Sequence, residues 1–359
     1  SHLRANSYRF NEKSCIINRE RMDYSKVSKE LEDLVTETYK LWDHNRVGFQ
    51  WRHYTWNHTK RVRAMGMELG RREGGDVKKL EIAGTLHDIT KKYDGEILND
   101  ADGNRVTSEQ GFWLNEKLKP ARENIVTRLY DDYDLYNTVH HDSGAVITEK
   151  ILVDYGFDAD FIEAVRSIVF AHLKPINMTS EDFDILYKNI ENQILYDADT
   201  MDPNVGYTGF FRNIHIHAHF AIQRTGKFEL ESYVQGLPRF VDSKDSFVEN
   251  LLTNSAKDVA EKRQERSRNL VSQMNAELEN MNINRKYGLL GVIEYFVSET
   301  ADPDFAYQLD HLKTKWIPDL QKSIEDTVLS QSERSDAQAA IDRVIFFTQD
   351  LENEYKGLM

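Results

Sequence analysis

The chain has 359 residues, a formal net charge of −14 and 40% hydrophobic residues, enough to bury a large core as one big domain or two. The acidic balance, a sequence pI near 5.4 and the lack of any Lys/Arg run interleaved with aromatics argue against a nucleic acid polymer as partner. One cysteine, Cys15, excludes an intramolecular disulfide framework; no apolar run approaches the roughly twenty residues that cross a bilayer, and without a signal-peptide pattern the chain is expected in the cytoplasm, away from membranes.

Only six prolines and 18 glycines interrupt a recurring amphipathic period, which predicts an all-α fold. Residues 1–22 read as a leader with little pattern. A first helix is predicted over Tyr24–Leu41, with Val27, Leu31, Leu34 and Tyr39 facing inward. The aromatic turn FQWRHYTW, 49–56, delivers the chain to the next helix, with Trp51 and Trp56 as core plugs rather than a base-stacking platform. In that helix His58 leads Val62, Met65 and Leu69 along one stripe, and Arg61 lies on the face of His58. In LEIAGTLHDITKK, Leu80 and Ala83 lead to His87, with Asp88 next to it and Lys91 one turn further on the same face.

Between Lys92 and His140 lies a longer insertion, predicted as a turn at NDADGN, 99–104, followed by helical pieces. That turn lacks the spaced ligands and closing Glu of a calcium loop. The acidic, aromatic stretch LYDDYDLYN, 129–137, is predicted as a solvated loop or helix edge near the mouth of a site. His140 leads Gly144, Ile147 and Ile151, a more apolar face than the Ala145, Thr148, Leu152 face of its neighbour His141. This favours His140 as the inward residue and leaves His141 open. Phe161, Val165 and Ile168 end on His172, and Ile190 and Ile194 lead to Asp197. From about residue 283, KYGLLGVIEYFVSET and AAIDRVIFFTQDLENEY read as two apolar-faced helices separated by DPDF and WIPDL. They are expected to form a C-terminal hairpin over 283–359 that covers the core or joins a homo-oligomer.

His58, His87, Asp88, His140, His172 and Asp197 therefore sit where apolar stripes should continue. A polar group turned into a core is costly unless paired, and a metal ion is the one partner that all six could share.

The order His, His-Asp, Asp, with HTKRV around the first, GTLHDITK around the second and YDADTMDPNVG around the last, resembles the HD-domain metal-dependent phosphohydrolase superfamily over about residues 23–282. Beyond the metal motif it is similar to small bacterial HD proteins that cleave nucleoside triphosphates. In those, a DAD-x-x-D-x-x-G segment is followed by a helix and then by a stretch similar to SFVENLLTNSAKDVAEKRQERSRNLV. The resemblance implies an HD-domain helical bundle with a C-terminal helical extension, and metal ligands at His58, His87, Asp88 and Asp197. HHDSGA followed by AHL is similar to the dinuclear branch, which implies that His140 and His172 hold a second metal and that Asp88 bridges the two. With a single metal, His140 and His172 would instead line the substrate pocket. The implied cofactor is one or two divalent metals per chain, Fe or Mn favoured over Mg, Co or Ni. The resemblance also gives Arg61 and Lys91 a catalytic, phosphate-contacting role beside Asp88, and His141, if not a ligand, is assigned to the substrate. His215, His217 and His219 in NIHIHAHF fall where the family has a plain helix and are read as packing residues.

The activity implied is hydrolysis of a phosphate ester or anhydride of a small nucleotide or related phosphorylated metabolite. A bound cation can lower the pKa of water from about 15.7 towards 7, and a second can clamp the opposing oxygens of an in-line displacement. The nearest members argue for pyrophosphate release from nucleoside triphosphates, while the six-ligand pattern also resembles HD enzymes that split dinucleoside polyphosphates. The same ligand order is similar to mixed-valent diiron oxygenases that cleave a carbon bond of a polyol or phosphonate. A non-catalytic module is a third reading, and the complete ligand set argues against it.

Overall fold

The computed structural model describes residues 22–43 and 51–357. The leader up to residue 21, Cys15, and Phe49 and Gln50 of the aromatic turn lie outside the described residues. Helices carry the fold, and a single two-stranded sheet occurs among the described residues.

Helix α1 (Tyr24–Tyr39) starts where the Asp23 side chain accepts the Lys26 N–H, and it buries Val27, Leu31, Val35 and Tyr39, with Leu34 at the edge. Helix α2 (Arg52–Glu73) ends at Gly74, whose φ of 76° closes the last turn. The Asp76 side chain then accepts the N–H groups of Lys78 and Lys79 and starts α3 (Val77–Leu86). These two helices meet at Gly84. A Cβ there would lie 2.7 Å from the Cα of Arg63, so glycine permits the approach that brings His58 of α2 and His87, the residue after α3, together.

The insertion is not mainly helical. Strands β1 (Asp94–Ile97) and β2 (Asn115–Lys117) pair antiparallel, with Asp94 opposite Lys117 and Ile97 opposite Asn115. The turn predicted at 99–104 is present as the hairpin's first bend: Asp100 accepts the N–H groups of Asp102 and Asn104, and Gly103 takes a φ of 82°. Val106 then donates to Leu98 O and Leu114 to Val106 O, a backbone ladder too short for its period-two alternation to be read from sequence. The helical piece that does form is α4 (Ile125–Asp132). In the stretch 129–137, Tyr130 is buried and stacks on Tyr93 with ring centroids 3.6 Å apart, while Asp131, Asp132 and Asp134 are exposed. Tyr130 and Leu135 thus belong to the core, while the aspartates and Tyr133 meet solvent.

Helices α5 (His140–Tyr155), α6 (Ala159–Ala171), α7 (Ser180–Leu186) and α8 (Ile190–Met201) follow. The apolar stripes of α2, α3, α5, α6 and α8 converge in one core through Val62, Met65, Leu80, Ile147, Val165 and Ile194. The side chain of Trp56 packs against it.

A second core is built by α9 (Tyr207–Thr225), α10 (Leu230–Asp242), α12 (Asn254–Glu277), α13 (Met281–Tyr287), α14 (Leu289–Ser298), α15 (Phe305–His311), α16 (Ile317–Asp326) and α17 (Gln331–Tyr355) around residues such as Phe211, Leu270, Phe296, Ile341 and Phe347, while the short α11 (Asp245–Glu249) packs Phe247 and Val248 on the first core. The region expected as a two-helix hairpin therefore forms several helices, and residue 283 falls inside α13. It packs into the same core as α9 and α12 because its apolar faces have no other cover. Buried Glu354 of α17 accepts the N–H groups of Tyr207 and Thr208 at 2.7 and 3.2 Å, placing a carboxylate on the positive end of α9. Trp51 and His215 pack in this core too, His215 against Phe211. No described helix is long and apolar enough to cross a membrane.

Candidate metal centre

Four imidazoles converge between α2, α3, α5 and α6, and each has its Nδ1 fixed by an oxygen. His87 and His172 cap the C-termini of α3 and α6, and their Nδ1 atoms bond back to Gly84 O at 2.8 Å and Val169 O at 2.6 Å. His140 Nδ1 lies 2.6 Å from Asp94 Oδ2, and His58 Nδ1 lies 2.7 Å from Asp202 Oδ2. An oxygen acceptor at Nδ1 keeps the proton there and leaves the Nε2 lone pair for a Lewis acid, the usual arrangement around ligating histidines.

The Nε2 atoms face Asp88. Its Oδ2 lies 3.6 Å from both His58 Nε2 and His87 Nε2, and its Oδ1 lies 3.5 Å from His140 Nε2 and 3.6 Å from His172 Nε2. Asp199 Oδ1 joins the first group, 3.0 Å from His58 and 3.5 Å from His87. Two ligand sets result: His58, His87, Asp88, Asp199, and Asp88, His140, His172. Donors held at about 2.1 Å from one ion stand roughly 3–4 Å apart, so both spacings fit a small cation. His87 Nε2, His172 Nε2 and Asp88 Oδ1 are buried without a protein hydrogen-bond partner, the state expected of atoms reserved for a metal. A buried set of imidazole and carboxylate fits divalent metal binding. The backbone is tied as firmly: Tyr39 OH donates to Asp88 O at 2.9 Å, and Thr90 Oγ1 donates to His140 O at 3.0 Å.

Burial alone would raise the Asp199 carboxyl, but the adjacent His58 and His87 imidazoles hold it well below the carboxylate range. Burial likewise works against Asp88, whose pKa is kept low by the charge of Lys91 and the nearby histidines. His58 would be depressed by burial, yet its bonds to Asp199 and Asp202 push it up to about 9. His140 is lowered to about 4 by burial and by Lys91.

Three sequence assignments are corrected by this geometry. Asp197 is not with the ligands: its oxygens accept Leu252 N–H at 2.8 Å and Thr253 N–H and Oγ1–H at 2.8 and 2.7 Å, tying down the start of α12. Asp199, two residues round α8, takes the ligand position. Burial pushes Asp197 up to about 6 against those bonds. Arg61 is fully buried and grips Asp202, Nε to Oδ1 at 2.7 Å and an NH2 to Oδ2 at 2.9 Å, so it is not placed to contact phosphate. Its guanidinium lies between the rings of Tyr54 and Phe305. His141 belongs to neither ligand set: it packs between Phe112 and Phe170, where burial and the neighbouring His172 lower its pKa to about 2. It is absent from the linings of the two cavities described below.

A cavity of about 480 Å³ opens over the cluster, lined by His58, Asp88, His172 and Asp199 on its floor. Lys91, Lys174 and Arg212 bring positive charge to it, and Tyr54, Tyr196 and Phe247 bring rings. Lys91 Nζ lies 3.0 Å from His140 Nε2. Arg212 carried no signal in the sequence, being remote in the chain from any ligand, and Lys174, two residues after His172, lies in the loop after α6, where no periodicity shows its direction.

A helical bundle that joins His, His-Asp and Asp from three helices, α2, α3 and α8, around one buried pocket defines a metal-binding HD centre. Residues 55–204, which contain every one of these ligands, match the HD domain family. This domain supports a metal-dependent hydrolase. Among solved structures the chain is similar to a predicted HD superfamily hydrolase from an uncultured Thermotogales bacterium, at 21% identity over 70% of this chain and 92% of that one, with a TM-score of 0.39. It is similar also to Bacillus subtilis YpgQ, at 16% identity over 72% of this chain and 100% of that one, TM-score 0.38, and to YpgQ in complex with ADP, at 16% identity over 72% and 98%, TM-score 0.37. No curated protein matches the chain.

Proposed function

We propose that the protein is a phosphohydrolase that uses two divalent cations to cleave a phosphate ester or anhydride of a small nucleotide or related phosphorylated metabolite. The observation that carries this reading is the position of Asp88, one oxygen toward each histidine group, at the floor of a cavity edged by Lys91, Lys174 and Arg212. When bound, such cations supply Lewis acidity toward a phosphoryl oxygen and a lowered pKa for water. The chain's own side chains do the rest. Lys91, Lys174 and Arg212 offset the charge of the phosphoryl oxygens, and burial of the floor keeps those contacts in a low-dielectric setting. Asp202 and Asp94 hold His58 and His140 in one tautomer and orientation.

A paired assay tests the reading. Protein loaded with Mn or Fe(II) is given nucleoside triphosphates and p-nitrophenyl esters while phosphate release and oxygen uptake are followed together. Product release without oxygen uptake is expected. Oxygen uptake coupled to loss of a polyol or phosphonate substrate, with no phosphate ester cleaved, would overturn it in favour of an oxygenase.

A further inference from the structure

The metal cluster sits between two cavities, not at the end of one. The second holds about 200 Å³ and is walled by the β1–β2 hairpin and the loop after α6: Ile97, Arg105, Phe112, Trp113, Asn115 and Ile176. It reaches the cluster at His140 and shares Lys91, Leu173 and Lys174 with the larger cavity, whose floor holds His58, Asp88, His172 and Asp199. Its walls are built rather than incidental. Phe112 packs on buried His141 with ring centroids 4.1 Å apart, and Ile176 N–H donates to Gly111 O at 3.0 Å, pinning the hairpin's tip to the loop. Gly111 takes a φ of 85°, and a Cβ on it would lie 3.1 Å from Asn177 N, so the pin needs glycine. Trp113 lines the cavity with 41% of its surface exposed, and the Arg105 guanidinium lies over its ring, 5.1 Å from the centroid. At its base the same hairpin supplies Asp94, which orients His140.

We infer that the hairpin cavity is a second substrate subsite, and that the substrate is a phosphodiester or anhydride substituted on both sides of the reacting phosphorus. Resting on the phosphohydrolase reading, this narrows its substrate class and excludes a simple monoester as the preferred one. One substituent occupies the large cavity beside Tyr54, Tyr196 and Phe247. The other, a planar group of about one ring system, stacks on Trp113 over Phe112, and Arg105 meets an oxygen on it. The shared cations Lys91 and Lys174 flank the phosphoryl group at the junction. In the reaction a water oxygen forms the new bond to phosphorus and the bond from phosphorus to its bridging oxygen breaks. That oxygen keeps the bonding electron pair and takes up a proton, and the second proton of the water passes to solvent.

The test compares bis(p-nitrophenyl) phosphate, which has a ring on each side, with p-nitrophenyl phosphate, which has one, using the full chain loaded with Mn. The wild type is expected to favour the diester by at least 10-fold in kcat/KM. Trp113→Ala is expected to lower kcat/KM for the diester about 5- to 100-fold, mainly through KM, the range of one lost aromatic stacking contact. The monoester rate and the metal content are expected to stay within about 2-fold; Trp113→Phe, which keeps a ring, recovers most of the diester rate. Preference for the monoester, or a Trp113→Ala effect equal on both substrates, overturns the subsite and leaves the hydrolase standing. Hydrolysis of neither ester by metal-loaded wild type overturns both.

Discussion

His58 and Asp202 are 144 residues apart in the chain and 2.7 Å apart in the fold, and through that contact the ligand helix is tied to the rest of the molecule. Asp202 is gripped in turn by Arg61, and Arg61 lies against Phe305 of the C-terminal helices. Arg61→Ala is expected to destabilise the protein by about 3–5 kcal/mol, because it leaves a buried carboxylate without its counter-charge. It should also weaken metal binding, since second partners of ligating histidines typically contribute 10- to 100-fold. Urea denaturation and a metal titration check the two effects. A stable variant with unchanged affinity would show that the Arg61–Asp202 pair has no role.

Two aspartates on one helix should separate cleanly. Asp199→Ala is expected to lose metal from the first group with secondary structure intact by circular dichroism. Asp197→Ala is expected to keep its metal but lose about 2–4 kcal/mol of stability, because the N–H groups of Leu252 and Thr253 lose their acceptor. The reverse pattern would restore Asp197 as the ligand.

That pair also shows where sequence reading reaches its end. His58, His87, His140 and His172 were legible because each stands at one end of a stripe that packs into one core, and Asp88 because it adjoins His87. Helix α8 is covered on more than one side, with Ile194, Leu195, Asp197, Ala198 and Met201 all buried, so its stripe does not identify the face turned to the histidines. The position of Asp197 followed the stripe and led to a loop. Arg61 was placed on the correct face of α2, but the charge waiting there is a carboxylate of the protein itself. Asp94 and Arg212 come from segments whose places depend on tertiary packing, and Lys174, two residues after His172, sits in an irregular loop whose direction no periodicity gives. The all-helical architecture was plain from periodicity, whereas the β1–β2 hairpin is too short to announce itself and the C-terminal helices gave no sign of the core they would share.

Orientation of His140 depends on Asp94, which also accepts from Lys117 Nζ at 2.6 Å. Asp94→Asn is expected to weaken binding of the second cation by 10- to 100-fold and leave the first within about 2-fold. Manganese titration followed by electron paramagnetic resonance resolves the two steps. A single unchanged isotherm would contradict the assignment.

Removal of residues 283–359 tests whether the C-terminal helices are dispensable. Their loss would expose Phe211, Leu270 and the rest of the α9–α12 face and would remove Glu354 from the start of α9. The shortened chain is expected to lose its cooperative thermal transition and to be cut rapidly within α9–α12 by protease. A shortened chain that melts cooperatively and resists proteolysis would mark the region as an independent appendage.

The most direct test of the account is metal content per chain, by elemental analysis of protein purified without chelator, for the wild type, His172→Ala and Asp88→Ala. Two cations, one cation and none, respectively, are predicted, because Asp88 belongs to both ligand sets and His172 to only one. One cation in both the wild type and His172→Ala would contradict the two-metal centre and the function built on it.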